Sequence, residues 1–256
     1  ASRGLGDVYK RQILAWLNKV GLSERDLACG PQAPISEATR DQLLLQNRWP
    51  GRVHHNCSGK HAGFLSTAVH LGEPAVGYLE LEHPVQQRVK KVLIEMTDNA
   101  LDEAQFGVDG CGAPVFGVSL RGLALAMARF GTGTGLSVPR AQAAARFYRA
   151  MVRQPCMVAG TGRWCTLAMQ ITGERLAVKG GAEGVYCAII PGQRIGIALK
   201  IDDGGSRAAE ALMGLLLTRY AGLSPDMSAK LQKLSFPAIF NAEGKVVGAT
   251  RPTGEA

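Results

Sequence analysis

Helical periodicity through the first two-thirds of the chain, and period-two alternation in the last third, predict an α+β fold in which helices come first and an antiparallel meander follows. The two patterns do not alternate, so βαβ units around a parallel sheet are not expected. The 256 residues are 46% hydrophobic and 20% charged, the makeup of a chain that folds and can bury a sizeable core. No internal repeat is visible, and one structural domain over 13–256 is expected.

Residues 1–12 carry no clean helical or strand period. The run from Gly4 to Gln12 is similar to translated adapter sequence, so residues 1–12 are set aside as non-native. Ile13, Leu14, Leu17 and Val20 then mark a helix ended by Gly21. Ser36 suits the N-cap of a helix reaching about Asn47. A loop with Pro50, Gly51, His54 and His55 leads into a helix over 60–70, and Pro84 fits the first turn of a helix over 85–97. A turn-rich stretch, 107–114, precedes a helix near 120–130. The Gly/Thr run 131–135 reads as a linker, and Ser137 with Pro139 opens the next helix. Period-two runs at 166–171, 176–179, 185–190 and 194–201 predict strands joined by Gly-containing turns. Asp202, Asp203 and Gly204 make a turn before a helix over 206–220.

The balance of 29 Lys and Arg against 21 Asp and Glu gives a net charge of +8, which raises the question of nucleic acid. The basic residues are scattered, and aromatics at 6% are too sparse for base-stacking platforms. Nucleic-acid binding is therefore not expected. The most apolar stretch, 115–130, is interrupted by Arg121 and Arg129 and is shorter than the roughly 20 residues that span a bilayer, so no membrane segment is expected either. Six cysteines without a C-x-x-C pair are too few for a disulfide scaffold and fit a reduced, cytoplasmic setting. Cys29, Cys156, Cys165 and Cys187 read as core thiols.

Three stretches hold chemistry-bearing residues. The first is Asn56-Cys57-Ser58-Gly59-Lys60-His61, inside a window holding all five histidines (54, 55, 61, 70 and 83). Cys57 and Lys60 stand at i, i+3 and share a face if a helix begins here. A thiol at a helix N-terminus beside an ammonium is expected to ionise readily, making Cys57 a nucleophile or a metal ligand; the alternative is an ordinary helix start with a buried thiol and a solvated lysine. Ser58 and Lys60 point apart on a helix, so a Ser–Lys dyad within the hexapeptide is not expected. The second stretch, 108–114, sets Asp109 and Cys111 among glycines that open backbone conformations closed to other residues. It is a tight turn capped by Asp109, or half of a zinc-like site if Cys111 meets Cys57, with Lys60 or a nearby histidine completing it. The third, 179–184, puts Lys179 at a strand end before two glycines, either facing a cleft or solvated on a hairpin.

Taken together, residues 56–63, His83-Pro84, 109–112 and 179–184, with 27–30 and 198–202, resemble the rhizobial-type L-asparaginases of the asparaginase II family. The resemblance runs over about 13–250 in the right order. It implies a fold similar to serine β-lactamases and penicillin-binding proteins, an antiparallel sheet with a helical cluster, and a homodimer. It implies hydrolysis of L-asparagine to L-aspartate and ammonia. Cys57, Lys60 and Cys111 match a zinc site that assists substrate positioning; a lysine ligand must be neutral, which a neighbouring divalent cation favours. His61 and Asp109 match substrate-binding residues, with Asp109 suited to the substrate's amino group. Lys179 matches the lysine that takes a proton from a catalytic serine, so Lys179 and Lys60 are the catalytic lysines on this view.

Family members also carry a Ser-x-x-Lys element and a second serine well upstream of the Cys-Ser-Gly-Lys motif. No Ser-x-x-Lys occurs before Cys57 here, so the chain is expected to be an N-terminally truncated fragment without its nucleophilic serine. Two other functions fit the same residues: another acyl-transfer hydrolase on this scaffold, such as a glutaminase or a β-lactam-recognising protein, and a non-catalytic zinc-binding domain.

Overall fold

A computed structural model describes residues 5–101 and 106–253. They form a mixed α+β chain with small antiparallel sheets. It divides into two compact units, 1–118 and 119–256.

The first unit is mostly helical: α1 (Leu5–Lys19), α2 (Glu37–Leu45), α3 (Ser58–His70) and α4 (Pro84–Thr97), followed by the short hairpin β1 (Phe106–Val108) and β2 (Pro114–Phe116). Helix α1 begins well before Ile13, within the segment that showed no period. Tyr9, Ile13 and Leu17 stand four apart and line one buried face, with Ile13 and Leu17 in the core and Tyr9 packed against it. That face meets α3. Ser36 caps α2 as expected, accepting from the Thr39 N–H. His83 caps α4 with Pro84 in the first turn, and its Nδ1 accepts from the Val85 N–H. The core gathers Ile13, Leu17, Leu27, Val53, Ala62, Leu65, Tyr78, Cys111 and Ala113.

In the second unit, α5 (Leu120–Thr132), α6 (Val138–Arg153), α7 (Pro155–Ala159) and α8 (Trp164–Thr172) precede the meander β3 (Ala177–Gly180), β4 (Val185–Ile190) and β5 (Ile195–Lys200). Helices α9 (Ser206–Tyr220) and α10 (Pro225–Ser235) and a hairpin, β6 (Ala238–Phe240) with β7 (Val246–Ala249), complete it. The strand expected over 166–171 is helix α8 instead. Its buried residues Trp164, Cys165, Ala168, Met169 and Thr172 repeat at helical spacing, and a short apolar run cut off from its upstream residues cannot separate the two periods. The other three strands form as expected. Lys179 pairs with Cys187 across the β3–β4 ladder. Helix α5 crosses β5 at Gly196, where a Cβ would lie 2.1 Å from the Ala124 carbonyl oxygen and 2.3 Å from the Ala128 nitrogen; only hydrogen fits there. Among the described residues, no helix is long and apolar enough to cross a membrane.

Candidate active site

The N-terminus of α3 is held from three sides. Cys57 is its N-cap, and its backbone N–H donates to Nδ1 of the buried His55 at 3.0 Å. The Gly59 N–H donates to the Tyr9 hydroxyl at 3.0 Å, and a Cβ on Gly59 would lie 2.6 Å from that oxygen. The Ser58 hydroxyl, fully buried, donates to the Val53 carbonyl at 3.1 Å. These bonds occupy N–H groups that a helix start leaves without intrahelical partners. The Cys57 thiol caps nothing, and Lys60 follows one turn later on the same side.

The second set of groups comes from the turn between β1 and β2. The Asp109 N–H donates to the Ala113 carbonyl and the Gly112 N–H to the Asp109 carbonyl, at 2.9 and 2.8 Å. Gly112 takes a positive φ of 85°, a conformation glycine adopts without strain. The Gly110 N–H steadies Asp109 Oδ1 at 2.7 Å, while the Cys111 thiol donates to Asp109 Oδ2 at 3.3 Å. The turn thus presents a carboxylate and a thiol on one side.

The two sets meet. Cys57 Sγ, a carboxylate oxygen of Asp109 and Cys111 Sγ all lie within 4.8 Å of one another. Lys60 Nζ is 3.1 Å from Asp109 Oδ2. Both Cys57 and Cys111 are free thiols, half-buried and buried respectively. Next to Lys60, His61 is wholly buried, and its Nδ1 lies 2.6 Å from the Tyr78 hydroxyl.

Electrostatics correct one expectation. Burial pushes the Cys57 thiol up to about 11, with Cys111 and Asp109 adding to the rise and Lys60 only partly opposing it. Desolvation of the thiolate outweighs the helix terminus and the ammonium, so Cys57 is a protonated thiol at neutral pH. Burial also pulls Lys60 down, but Cys111, Cys57 and Asp109 together raise it above the ordinary lysine value. Asp109 resists burial through the hydrogen bonds from Lys60 and Cys111, and its net shift is downward. His61 is depressed to about 4, first by burial and then by Lys60 and His55.

Of the residues singled out by sequence, Cys57, Lys60, Asp109 and Cys111 come together, with His61 alongside. Lys179 lies in the other unit, exposed on β3, with its ammonium donating to the Gly180 carbonyl. Sequence reasoning missed Tyr9, His55 and Tyr78. Tyr9 had a signal, its four-residue spacing from Ile13; His55 and Tyr78 act through contacts that spacing does not encode.

The family model for L-asparaginase II matches residues 1–252, and the chain belongs to that family, whose members are amidohydrolases. The match includes residues 1–12 and gives no support to the expected N-terminal truncation. No curated relative matches the chain.

Proposed function

We propose that the chain acts as an L-asparagine amidohydrolase. Water adds its oxygen to the side-chain amide carbon of L-asparagine, the C–N bond breaks, and the nitrogen leaves with the remaining proton as ammonia beside L-aspartate. The observation that carries this is the convergence of Asp109, Lys60, Cys57 and Cys111 in a chain matched along its length by the L-asparaginase II model.

Asp109 is ionised, half-exposed and rigidly held by Gly110, which suits it to receive the α-ammonium of an amino acid. His61, neutral at physiological pH, offers a hydrogen bond rather than a charge. Two thiols with a carboxylate or an amine nearby form a donor set that zinc accepts. Cys57, Cys111 and Lys60 are the proposed ligands, each giving up its proton to bind. A bound zinc supplies fixed positive charge that orients substrate. Lys179 is the proposed proton acceptor for the acyl-accepting serine, to which no residue is assigned. Ser58 is unsuited to that role because its hydroxyl is committed to Val53.

The test is ammonia release from L-asparagine, with L-glutamine and a chromogenic β-lactam as rival substrates. It is run on this chain and on one extended with upstream coding sequence. Preferential release from asparagine by either supports the proposal. Turnover of a rival alone moves the assignment to another acyl-transfer hydrolase. Silence from both folded proteins, with zinc bound and needed for folding, moves it to a zinc-binding domain.

A further inference from the structure

The first unit contains a buried hydrogen-bonded chain that the proposed chemistry leaves unused. The Ala28 N–H donates to the Tyr78 hydroxyl oxygen at 2.8 Å, and that oxygen lies 2.6 Å from His61 Nδ1. His61 is 0% exposed and Tyr78 2%, so water cannot substitute freely for any partner in the chain.

The direction of the last bond follows from counting donors. The phenol oxygen already accepts from Ala28, and its own hydrogen needs an acceptor. Nδ1 supplies one. If Nδ1 carried the hydrogen and donated to the phenol instead, the phenolic hydrogen would be buried without a partner. Nδ1 therefore accepts, and a neutral imidazole accepting at Nδ1 carries its hydrogen on Nε2. His61 Nε2 is itself buried and has no hydrogen-bond partner. The ring cannot easily turn away to find one: Phe64 and Tyr78 pack edge-on against it, at centroid distances of 6.0 and 5.6 Å. Buried N–H groups are rarely left without acceptors, and this one neighbours Lys60, whose ammonium is bonded to Asp109.

We infer that Tyr78 is a positioning residue: it locks His61 in the tautomer with hydrogen on Nε2, and that hydrogen is the donor for a carbonyl or carboxylate oxygen of the amino-acid substrate. The class of ligand rests on the asparaginase proposal, whereas the tautomer and the part played by Tyr78 do not. Tyr78→Phe keeps the ring that fills the core and removes the hydroxyl alone.

The experiment is long-range proton–nitrogen NMR of the full chain labelled with ¹⁵N-histidine, first without ligand and then with L-asparagine. The expected ligand-free result is hydrogen on His61 Nε2, with Nδ1 shifted as a hydrogen-bonded acceptor. L-Asparagine then moves the Nε2 resonance. In Tyr78→Phe the two tautomers mix, and the same response needs on the order of tenfold more L-asparagine, the effect of one hydrogen bond to a polar ligand. Hydrogen on Nδ1 in the unmodified chain overturns the role of Tyr78 without any variant, so the test survives a Tyr78→Phe protein that fails to fold. A response at other histidines that leaves Nε2 unmoved overturns His61 as the donor. No response anywhere overturns the substrate assignment together with the asparaginase proposal, while the ligand-free tautomer still decides for or against Tyr78.

Discussion

Lys60 Nζ lies 3.1 Å from Asp109 Oδ2, an ion pair that ties the first turn of α3 to the turn between β1 and β2. Its partners are 39% and 40% exposed, and ion pairs this open to water contribute at most about 1 kcal/mol. Its importance therefore lies in where it puts the two groups rather than in stability. Asp109→Asn is expected to lower the unfolding free energy by no more than about 1 kcal/mol. Losing a charged hydrogen bond to substrate should reduce ammonia release about 100-fold. A urea titration and a rate assay on the same preparation separate the two effects, and a rate close to the parent's would remove Asp109 from substrate binding.

Zinc is expected to bind at Cys57 and Cys111. At roughly a hundredfold excess over its Kd it should raise the unfolding free energy by about 2.7 kcal/mol, and Cys57→Ser or Cys111→Ser should abolish the gain. Because Cys57 is protonated up to about pH 11, binding releases its proton. Affinity should thus rise about tenfold per pH unit on account of that group. Calorimetry in buffers of different ionisation enthalpy counts the protons, and affinity independent of pH would exclude Cys57 as a ligand.

Acid should weaken the fold before any carboxylate is titrated. His61 is depressed from 6.5 to about 4, with burial the leading cause, so the native protein takes up fewer protons than the unfolded chain in that interval. The stabilisation is fully present above about pH 6.5 and is lost as pH falls to about 4. For this one group it amounts to roughly 3 kcal/mol. His54 and His55 shift in the same direction, chiefly through burial, and steepen the decline. Denaturant midpoints across this interval test the slope, and a flat profile would mean that His61 is not buried in the native protein.

Ser58→Ala is expected to cost about 1 kcal/mol of stability, since the buried Val53 carbonyl loses its donor, and to leave turnover unchanged. Abolished turnover in a folded Ser58→Ala protein would reinstate Ser58 as the nucleophile.

Much of this architecture was legible from pattern. Ser36, Pro84 and Ser119 mark helix starts by capping chemistry that is local in sequence, and the alternation over 185–190 and 194–201 becomes β4 and β5. What failed was short or non-local. Residues 166–171 lost their helical period once Trp164 and Cys165 were left out of the window. The hairpin β1–β2 has strands of three residues, too brief for alternation to register. In the site, the spacing of Cys57 and Lys60 was readable because a helix turn enforces it, and the motifs pointed to Asp109 and Cys111. The charge state of Cys57 was not readable, because desolvation depends on residues far away in the chain. Tyr78 stood outside every motif, and its bond to His61 spans 17 positions.

Asp109 and Cys111 are two residues apart on a single turn, joined by the thiol-to-carboxylate contact and fixed by Gly110 and Gly112. They move as one piece. A change in the hairpin that shifts the carboxylate must carry the thiol with it, so substrate grip and metal grip cannot drift apart through mutation on that side. Independent adjustment is open only from α3, where Cys57 and Lys60 sit on separate residues of a rigid helix, and substitutions that retune selectivity while sparing metal affinity should accumulate there rather than in the turn.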